Sequence, residues 1–242
     1  MKLTPQKLYI KLYKKFGDLN WWPVDEKYHE KTGSDPRCEI IVGAILTQNT
    51  NWPNVEKALE NLKSENMLDI KKISEIKIVN LKKIIKPSGF YNQKAKRLKR
   101  LTLYLKNNYN CNLNEFFSND LQKIRKELLS LNGIGPETAD SILLYAGNLP
   151  IFVVDAYSKR ICERLPLYTN LTYDEIQNYF QNELLKTYKI DEITKIYNKL
   201  HALMVNLAKK YCKKKPDCTN CFLRKDCTFK KTTIPINLVS YH

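Results

Sequence analysis

The chain has 242 residues, with 41 lysines and arginines against 25 acidic residues, a formal net charge of +16 and a pI near 9.4. A hydrophobic fraction of 43% is enough for a packed core, which argues against long disordered stretches. Because so large a positive excess attracts polyanions, nucleic acid is the first partner to consider. With no N-terminal apolar stretch and no apolar run of membrane-spanning length, we expect a cytoplasmic protein without a signal peptide or a membrane partner.

Hydrophobic periodicity predicts helices along most of the chain. Apolar residues recur at three- and four-residue spacing. This pattern occurs in residues 8–13, 40–45, 55–62, 98–105, 121–131 and 200–207. Only residues 151–154 look extended, and that segment is too short to found a sheet. Glycines and prolines fall mainly between these segments, so we predict an all-α protein of many short helices.

Positive charge is concentrated in two regions. Residues 71–106 contain twelve lysines and arginines and one acid, Glu75. A second group surrounds four C-terminal cysteines: Lys209, Lys210, Lys213, Lys214, Lys215, Arg224 and Lys225. Either patch alone could be an ordinary solvated lysine-rich surface. The motifs that accompany them favour a nucleic-acid interface.

A glycine-containing turn is predicted between two helices at residues 131–139, Leu-Asn-Gly-Ile-Gly-Pro-Glu-Thr-Ala. Gly133 and Gly135 permit a tight turn with outward-pointing N–H groups, and Pro136 suits the first position of a helix. Such a turn can hold a phosphate. An ordinary connection between helices is the alternative interpretation.

Asp155 follows the extended segment 151–154 and opens another predicted helix. An aspartate at this position is well suited to cap the helix N-terminus. A catalytic carboxylate is the other interpretation, and Asp155 alone fits both.

Four cysteines, Cys212, Cys218, Cys221 and Cys227, have the spacing C-x5-C-x2-C-x5-C. Crowded thiolates repel one another unless a cation holds them together. Disulfides suit small secreted domains better than a chain of this length. Zinc is a second alternative, but its ribbons usually pair two short C-x2-C turns. One C-x2-C between two wider arms favours a [4Fe–4S] cluster.

Taken in order, these features resemble the helix-hairpin-helix (HhH-GPD) DNA glycosylase superfamily, in particular the endonuclease III branch with a C-terminal [4Fe–4S] loop. The resemblance implies two helical lobes. Residues 37–149 would form a central six-helix, barrel-like domain with the hairpin at 131–139, and residues 1–36 with 150–242 a terminal lobe with the cluster loop at 212–227. It also implies a monomer, associated with the nucleoid, that binds damaged double-stranded DNA across the cleft between the lobes and flips out one nucleotide.

The resemblance assigns roles to individual DNA-contacting and catalytic residues. Asp155 matches the catalytic aspartate, whose charge stabilises an oxocarbenium-like sugar and can activate water. Gly133, Gly135 and Thr138 lie in the hairpin that holds the DNA backbone. Gln48, in the segment 45–50 that ends a predicted helix, matches a polar residue that fills the gap left by the flipped base.

The same resemblance assigns Cys212, Cys218, Cys221 and Cys227 as the cluster ligands. The first gap has five residues where the family commonly has six, a difference that a loop can absorb.

Two further positions bear on the reaction and its substrate. Bifunctional members carry a lysine two residues after the second hairpin glycine; Glu137 stands there and cannot form an imine, which predicts a monofunctional enzyme. Trp21, Trp22 and Trp52 resemble the 3-methyladenine glycosylase offshoot, which also lacks that lysine, and aromatic faces suit a cationic alkylated base. Core packing is the alternative for these tryptophans, and His201 is interpreted as a packing histidine.

The leading hypothesis is therefore a DNA repair glycosylase that excises a damaged base, an alkylated purine in our prediction, from duplex DNA. A bifunctional endonuclease III-like glycosylase and AP lyase acting on oxidised pyrimidines is the enzymatic alternative. A non-catalytic iron–sulfur DNA-binding protein, in which Asp155 only caps a helix, is the alternative from another class.

Overall fold

The computed structural model describes residues 3–167 and 172–229. Within these ranges the chain is helical and contains no strand, which confirms the predicted all-α class. No helix among the described residues is long and apolar enough to cross a membrane.

Thirteen α-helices follow one another in the described ranges. They are α1 (Pro5–Phe16), α2 (Glu26–Thr32), α3 (Arg37–Leu46), α4 (Trp52–Ser64), α5 (Ile70–Glu75), α6 (Ile78–Ile84), α7 (Tyr91–Tyr109), α8 (Leu113–Phe117), α9 (Leu121–Ser130), α10 (Pro136–Ser141), α11 (Ala156–Arg164), α12 (Tyr173–Leu185) and α13 (Ile190–Lys210). A 3₁₀ turn at Lys86–Ser88 precedes α7, and α10 continues as a π-helical turn at Ile142–Ala146.

The helix starts follow local sequence chemistry. Side-chain oxygens of Asp25, Asn51, Asp69 and Asp120 accept backbone N–H groups in the first turns of α2, α4, α5 and α9. These short polar residues satisfy amides that have no partner inside the helix. At α12, Thr172 and Glu175 form a reciprocal capping box.

The chain divides into two compact units: a central unit of residues 22–151 and a terminal unit of residues 1–21 with 152–242. The expected division instead placed residues 22–36 in the terminal lobe. The difference has a physical cause in α2, because His29 Nε2 lies 3.1 Å from Glu39 Oε2 and Lys63 Nζ lies 2.9 Å from Glu39 Oε1. This buried network joins α2 to α3 and α4.

In the central unit, α3 is the most deeply buried helix. All its residues from Cys38 to Leu46 are buried, and it packs against α4, α7 and the π-helical turn. A helix that is apolar on every side is suited to such a central position. The longer α7 packs against α5, α6 and α8 and reaches towards the turn before α10 through its side chains.

In the terminal unit, α13 packs against α1, α11 and α12. The predicted extended segment is buried but forms no strand in the described chain. Phe152 instead donates its N–H to Gln181 Oε1 at 2.9 Å and accepts from Gln177 Nε2 at 2.6 Å. Its ring also stacks on Phe180 with centroids 4.7 Å apart. These contacts with α12 fix the segment that leads directly into Asp155.

Candidate active site and nucleic-acid interface

Asp155 is the N-cap of α11 and is only 9% exposed. Its Oδ1 accepts the Ser158 N–H at 2.6 Å, so the predicted capping geometry is present. Its Oδ2 lies 3.6 Å from Nε2 of His201, which α13 contributes from the same unit. The two carboxyl oxygens therefore have different surroundings, one fixed by the helix and one beside an imidazole.

The surroundings of Asp155 favour its charged form. Burial opposes ionisation, but attraction to His201 and hydrogen bonds from Ser158 outweigh it and hold the pKa of the Asp155 carboxyl below its usual value of 3.8. Near neutral pH this site therefore contains a carboxylate with little water around it. Such a group can stabilise positive charge strongly, because the local dielectric constant is low.

His201 contributes more than the predicted packing. It is buried in α13, as the apolar periodicity of that helix indicates, and its ring also faces Asp155. Sequence reasoning missed this pairing because the two residues are far apart in the chain and meet only when α11 packs on α13. The one sequence feature that could have indicated a polar partner for His201 was its position on an otherwise apolar helix face.

The turn before α10 requires glycine at one of its two predicted positions. Gly133 has φ +93°, and a Cβ added there would lie 2.5 Å from Arg97 Nε. A larger residue would therefore be strained and would collide with Arg97. Gly135 has φ −94°, and an added Cβ would meet nothing within 4 Å. Its side is open, so packing inside the protein does not explain a glycine there.

Two amides of this turn lie outside its backbone hydrogen bonding. The turn closes through the Ile134 N–H, which donates to Leu131 O at 2.9 Å. Within the described chain, neither Gly133 N–H nor Gly135 N–H takes part in a backbone–backbone hydrogen bond. Pro136 occupies the first position of α10, as predicted. Neighbouring outward N–H groups of this kind are able to bind an anionic oxygen.

Gln48 contacts the hairpin directly. Its Nε2 donates to Gly133 O at 3.1 Å and to Thr138 Oγ1 at 2.9 Å, and its Oε1 accepts from Arg97 Nη1. Thr138 is 6% exposed, so its hydroxyl is occupied inside the unit. Glu137 lies exposed in the first turn of α10. The structure thus brings Gln48, Gly133 and Thr138 together, and their predicted contact with DNA stays a prediction.

The three tryptophans divide between the two units. In the central unit, the Trp22 ring meets Trp52 edge-on with centroids 5.6 Å apart and lies 5.5 Å from Tyr145. Trp21 belongs to the terminal unit, where Lys209 Nζ lies 5.4 Å from the centre of its ring. All three are partly exposed, so packing does not fully cover their aromatic surfaces.

Half of the basic patch at residues 71–106 is engaged within the central unit. Lys94 is 1% exposed, and its Nζ donates to Leu46 O at 2.8 Å and Ser88 O at 2.6 Å. Lys99 donates to carbonyls at the end of α5, and Lys106 Nζ pairs with Glu75 at 2.8 Å. The six engaged residues are Lys72, Lys94, Arg97, Lys99, Arg100 and Lys106. These six side chains therefore already make hydrogen bonds or an ion pair within the central unit in the absence of a polyanion.

Arg164 connects the two ends of the cysteine loop. Its Nη1 lies 3.4 Å from Cys212 Sγ, and its carbonyl oxygen accepts from Cys227 Sγ at 3.2 Å. Arg160 Nε also donates to Cys212 O at 2.8 Å. The last helix residue before Leu165 therefore holds both the first and the fourth cysteine.

All four cysteines line one cavity, together with Arg164 and Leu223. Burial, followed by repulsion from Cys227 and Cys212, raises the pKa of the Cys218 thiol. Among the described residues, no three His, Cys, Asp or Glu side chains are close enough to hold a single metal ion. The four thiols nevertheless share one cavity. Four cysteine thiolates are the donor set that a [4Fe–4S] cluster uses, so the residues present fit such a centre.

The chain belongs to the HhH-GPD superfamily of base excision DNA repair proteins, whose family model matches residues 42–186. It is 45% identical over 227 residues to a candidate DNA repair glycosylase of Methanocaldococcus jannaschii, covering 93% of this chain and 96% of that protein. It is 29% identical over 202 residues to endonuclease III of Thermotoga maritima, covering 83% of this chain and 85% of the relative.

Solved structures show the same fold. The 3-methyladenine DNA glycosylase of H. pylori bound to 1,N6-ethenoadenine superposes with a TM-score of 0.70 at 30% identity, covering 86% of this chain and 98% of that one. The structure of an endonuclease III–DNA covalent intermediate superposes with a TM-score of 0.73 at 22% identity, covering 95% of this chain and 98% of that one. At this identity the similarity supports the fold alone. These findings confirm the family resemblance, and the protein is a DNA repair glycosylase of this superfamily.

Proposed function

We propose that the protein is a monofunctional DNA glycosylase that hydrolyses the N-glycosidic bond of an alkylated purine in duplex DNA. One observation carries this proposal: Asp155 presents a buried carboxylate whose Oδ2 lies beside His201 rather than against the helix backbone. The carboxyl group is both fixed in direction and kept ionised. Those are the two properties that a charge-stabilising catalytic group needs.

Asp155 acts on the sugar of the extruded nucleotide in the proposed reaction. As the base departs, positive charge develops on the deoxyribose, and a nearby carboxylate in a weakly polar environment stabilises it. The Ser158 amide holds Oδ1, which leaves Oδ2 to orient a water molecule and accept its proton as the C–O bond forms. His201 is a positioning residue that limits the rotation of Asp155.

Glu137 in the hairpin supports attack on the sugar by water rather than by a protein amine. Glu137 is exposed at the position where an amine would be needed, and a carboxylate cannot form a Schiff base with the sugar. An alkylated purine is supported by the similarity to the 3-methyladenine DNA glycosylase of H. pylori and by the partly exposed aromatic surfaces of Trp21, Trp22 and Trp52. A ring face attracts a cationic base by about 0.5–2 kcal/mol.

Cys212, Cys218, Cys221 and Cys227 would hold a [4Fe–4S] cluster. Support comes from the single cavity that the four thiols line and from their C-x5-C-x2-C-x5-C spacing in the sequence. When bound, the cluster would supply a rigid cross-link between the arms of the loop, with no part in base excision. Arg164 and Arg160 orient the loop ends towards this centre.

The DNA interface in this proposal centres on the hairpin and on Phe90. The outward Gly133 and Gly135 amides bind phosphate oxygens, and the open side of Gly135 allows close approach. Phe90 precedes α7 with φ +45° and is 62% exposed. An apolar aromatic group held outwards in this way can insert between base pairs and help to unstack a damaged nucleotide. The protein would act on double-stranded DNA as a monomer.

A lesion panel tests the proposal. Duplexes that each contain one defined lesion should release an alkylated purine and retain oxidised pyrimidines. Borohydride treatment on abasic DNA should give no stoichiometric protein–DNA cross-link. Preferential release of oxidised pyrimidines together with efficient cross-linking would instead establish a bifunctional glycosylase and lyase. Wild-type protein that excises no base from any duplex would favour the non-catalytic alternative.

A further inference from the structure

We infer that Arg97 and Arg100 are positioning residues that orient the hairpin turn for DNA and do not themselves bind phosphate. This inference rests on the proposed contact between the hairpin and the DNA backbone. Both residues lie within the basic patch, where their charges alone would suggest direct contact with a polyanion. Their bonds within the central unit indicate a different role.

Arg100 holds the first carbonyl of the turn. Its Nη1 donates to Asn132 O and lies 3.4 Å from Asn132 Oδ1. A trans peptide points its C=O and N–H groups in opposite directions. Fixing the Asn132 carbonyl towards α7 therefore directs the Gly133 N–H away from α7.

Arg97 holds the next residue of the turn in two ways. Its side chain lies against Gly133, where Nε, Cγ and Cδ would be 2.5–2.8 Å from an added Cβ. Its Nη1 also donates to Gln48 Oε1, and Gln48 in turn donates to Gly133 O at 3.1 Å. Arg97 thus acts on the second carbonyl through Gln48.

The two arginines are three residues apart on α7 and therefore project from the same side of the helix. Together they hold the Asn132 carbonyl directly and the Gly133 carbonyl through Gln48. The amides of Gly133 and Gly135, which have no backbone acceptor in the described chain, remain for a ligand. The bracket of Arg97, Arg100 and Gln48 sets the direction of the Gly133 amide and fixes the backbone that leads to Gly135 before DNA arrives.

Salt dependence separates a positioning role from a phosphate contact. The affinity of the full chain for a duplex with a tetrahydrofuran abasic-site analogue is measured over a range of salt concentrations for Arg97→Met and Arg100→Met. Each variant should bind roughly tenfold more weakly, since charged hydrogen bonds of this strength are lost. The slope of log affinity against log salt should match that of the wild type, because no phosphate contact is removed.

Two further variants keep the inference testable if the methionine variants unfold. Arg100→Lys retains a donor of similar reach for Asn132 O and should keep wild-type affinity within about threefold. Lys96→Met removes one charge from the exposed side of α7 and controls for electrostatics alone. Melting temperatures verify the fold of each variant.

A slope reduced by about 0.9 in either methionine variant would make that arginine a direct phosphate contact and overturn the inference. So would an affinity loss no larger than that of Lys96→Met, or a loss in Arg100→Lys as large as in Arg100→Met. Binding to the analogue needs no base excision. If the protein excises no base but gives the expected binding results, the proposed function is rejected and the positioning role of Arg97 and Arg100 is still supported.

Discussion

Oδ2 of Asp155 lies 3.6 Å from Nε2 of His201, although the two side chains come from different helices. The contact gives the second carboxyl oxygen a fixed environment that the helix cap alone does not provide. An aspartate that only capped α11 would need one oxygen, the one that accepts the Ser158 N–H. The second oxygen is the structural basis for expecting chemistry at this position.

Replacing Asp155 with asparagine should lower the single-turnover rate of base excision at least about a hundredfold, because the neutral amide cannot stabilise the developing positive charge. Asparagine is also a good N-cap, so the melting temperature should change little. Asp191→Asn, an exposed change in the first turn of α13, serves as the matched control and should excise at the wild-type rate. Equal rates in wild type and Asp155→Asn would remove Asp155 from the catalytic machinery.

Replacing Lys94 with methionine should reveal a pH-dependent stability. Burial, and to a smaller extent Arg97, lowers the pKa of Lys94 from 10.5 to about 8. Above pH 8 the folded chain has lost a proton that the unfolded chain keeps up to about pH 10.5, so folding becomes more favourable as the pH rises through this window. The neutral amine still donates to the carbonyls of Leu46 and Ser88.

Denaturant unfolding at several pH values measures the Lys94 effect. The difference in unfolding free energy between wild type and Lys94→Met should grow between pH 7 and 10, by up to roughly 3 kcal/mol. For the exposed Lys96→Met the corresponding difference should stay flat. A difference that is constant or shrinks with pH for Lys94→Met would show that burial does not depress this ammonium group.

Replacing Glu137 with lysine should create a lyase. The new amine would stand at the exposed first turn of α10, beside the turn proposed to hold the DNA backbone. It should form an imine with an abasic sugar and raise the yield of borohydride-trapped complex at least about tenfold over wild type. Glu137→Gln provides the control without an amine. Trapping that is equally efficient in wild type and Glu137→Lys would contradict the monofunctional assignment.

Replacing Arg164 with methionine should weaken retention of iron. The change removes the contact with Cys212 Sγ and the bonds to the carbonyls of Lys213 and Lys214. Partners of this kind around metal ligands typically change metal affinity about 10–100-fold. Iron content per chain after a chelator challenge is the measurement, and Lys225→Met, an exposed change in the same loop outside the cavity lining, is the control. Identical iron loss in the two variants would show that Arg164 does not contribute to iron retention by the cysteine loop.

Salt should weaken binding of duplex DNA steeply, and individual lysines should differ in their share of the effect. Lys83 is exposed, and if it contacts one phosphate, Lys83→Met lowers the salt slope by about 0.9. Lys99 instead donates to carbonyls at the end of α5, so Lys99→Met should leave the slope unchanged and cost about 1–3 kcal/mol of stability. A wild-type affinity that does not respond to salt would contradict the electrostatic interface.

Sequence patterns predicted those parts of the protein that depend on local chemistry. Helical periodicity predicted the all-α class, and the Gly133 and Pro136 positions predicted the turn before α10, because backbone geometry there depends on residue type. The close spacing of the four cysteines predicted that they would share one cavity. Each of these features needs little knowledge of what packs where.

Features that depend on tertiary packing could not be predicted in this way. A lysine in the sequence carries the same charge whether it binds phosphate or, like Lys94, the carbonyls of a neighbouring helix. The pairing of His201 with Asp155 required the packing of α11 on α13. Residues 22–36 likewise belong to the central unit, where His29 of α2 contacts Glu39 of α3, a contact that no sequence pattern indicated.

Helix α11 starts immediately after Asp155, and its final residue is Arg164. Nine helical residues span about 14 Å, and a helix this short bends little. Helix α11 therefore connects the Asp155 carboxylate to the cysteine loop as one rigid element. A tilt of α11 at Arg164 would change the direction of the Asp155 oxygens at the other end of the helix. We therefore expect disorder in the cysteine loop to alter the position of Asp155 mechanically, without any electron transfer.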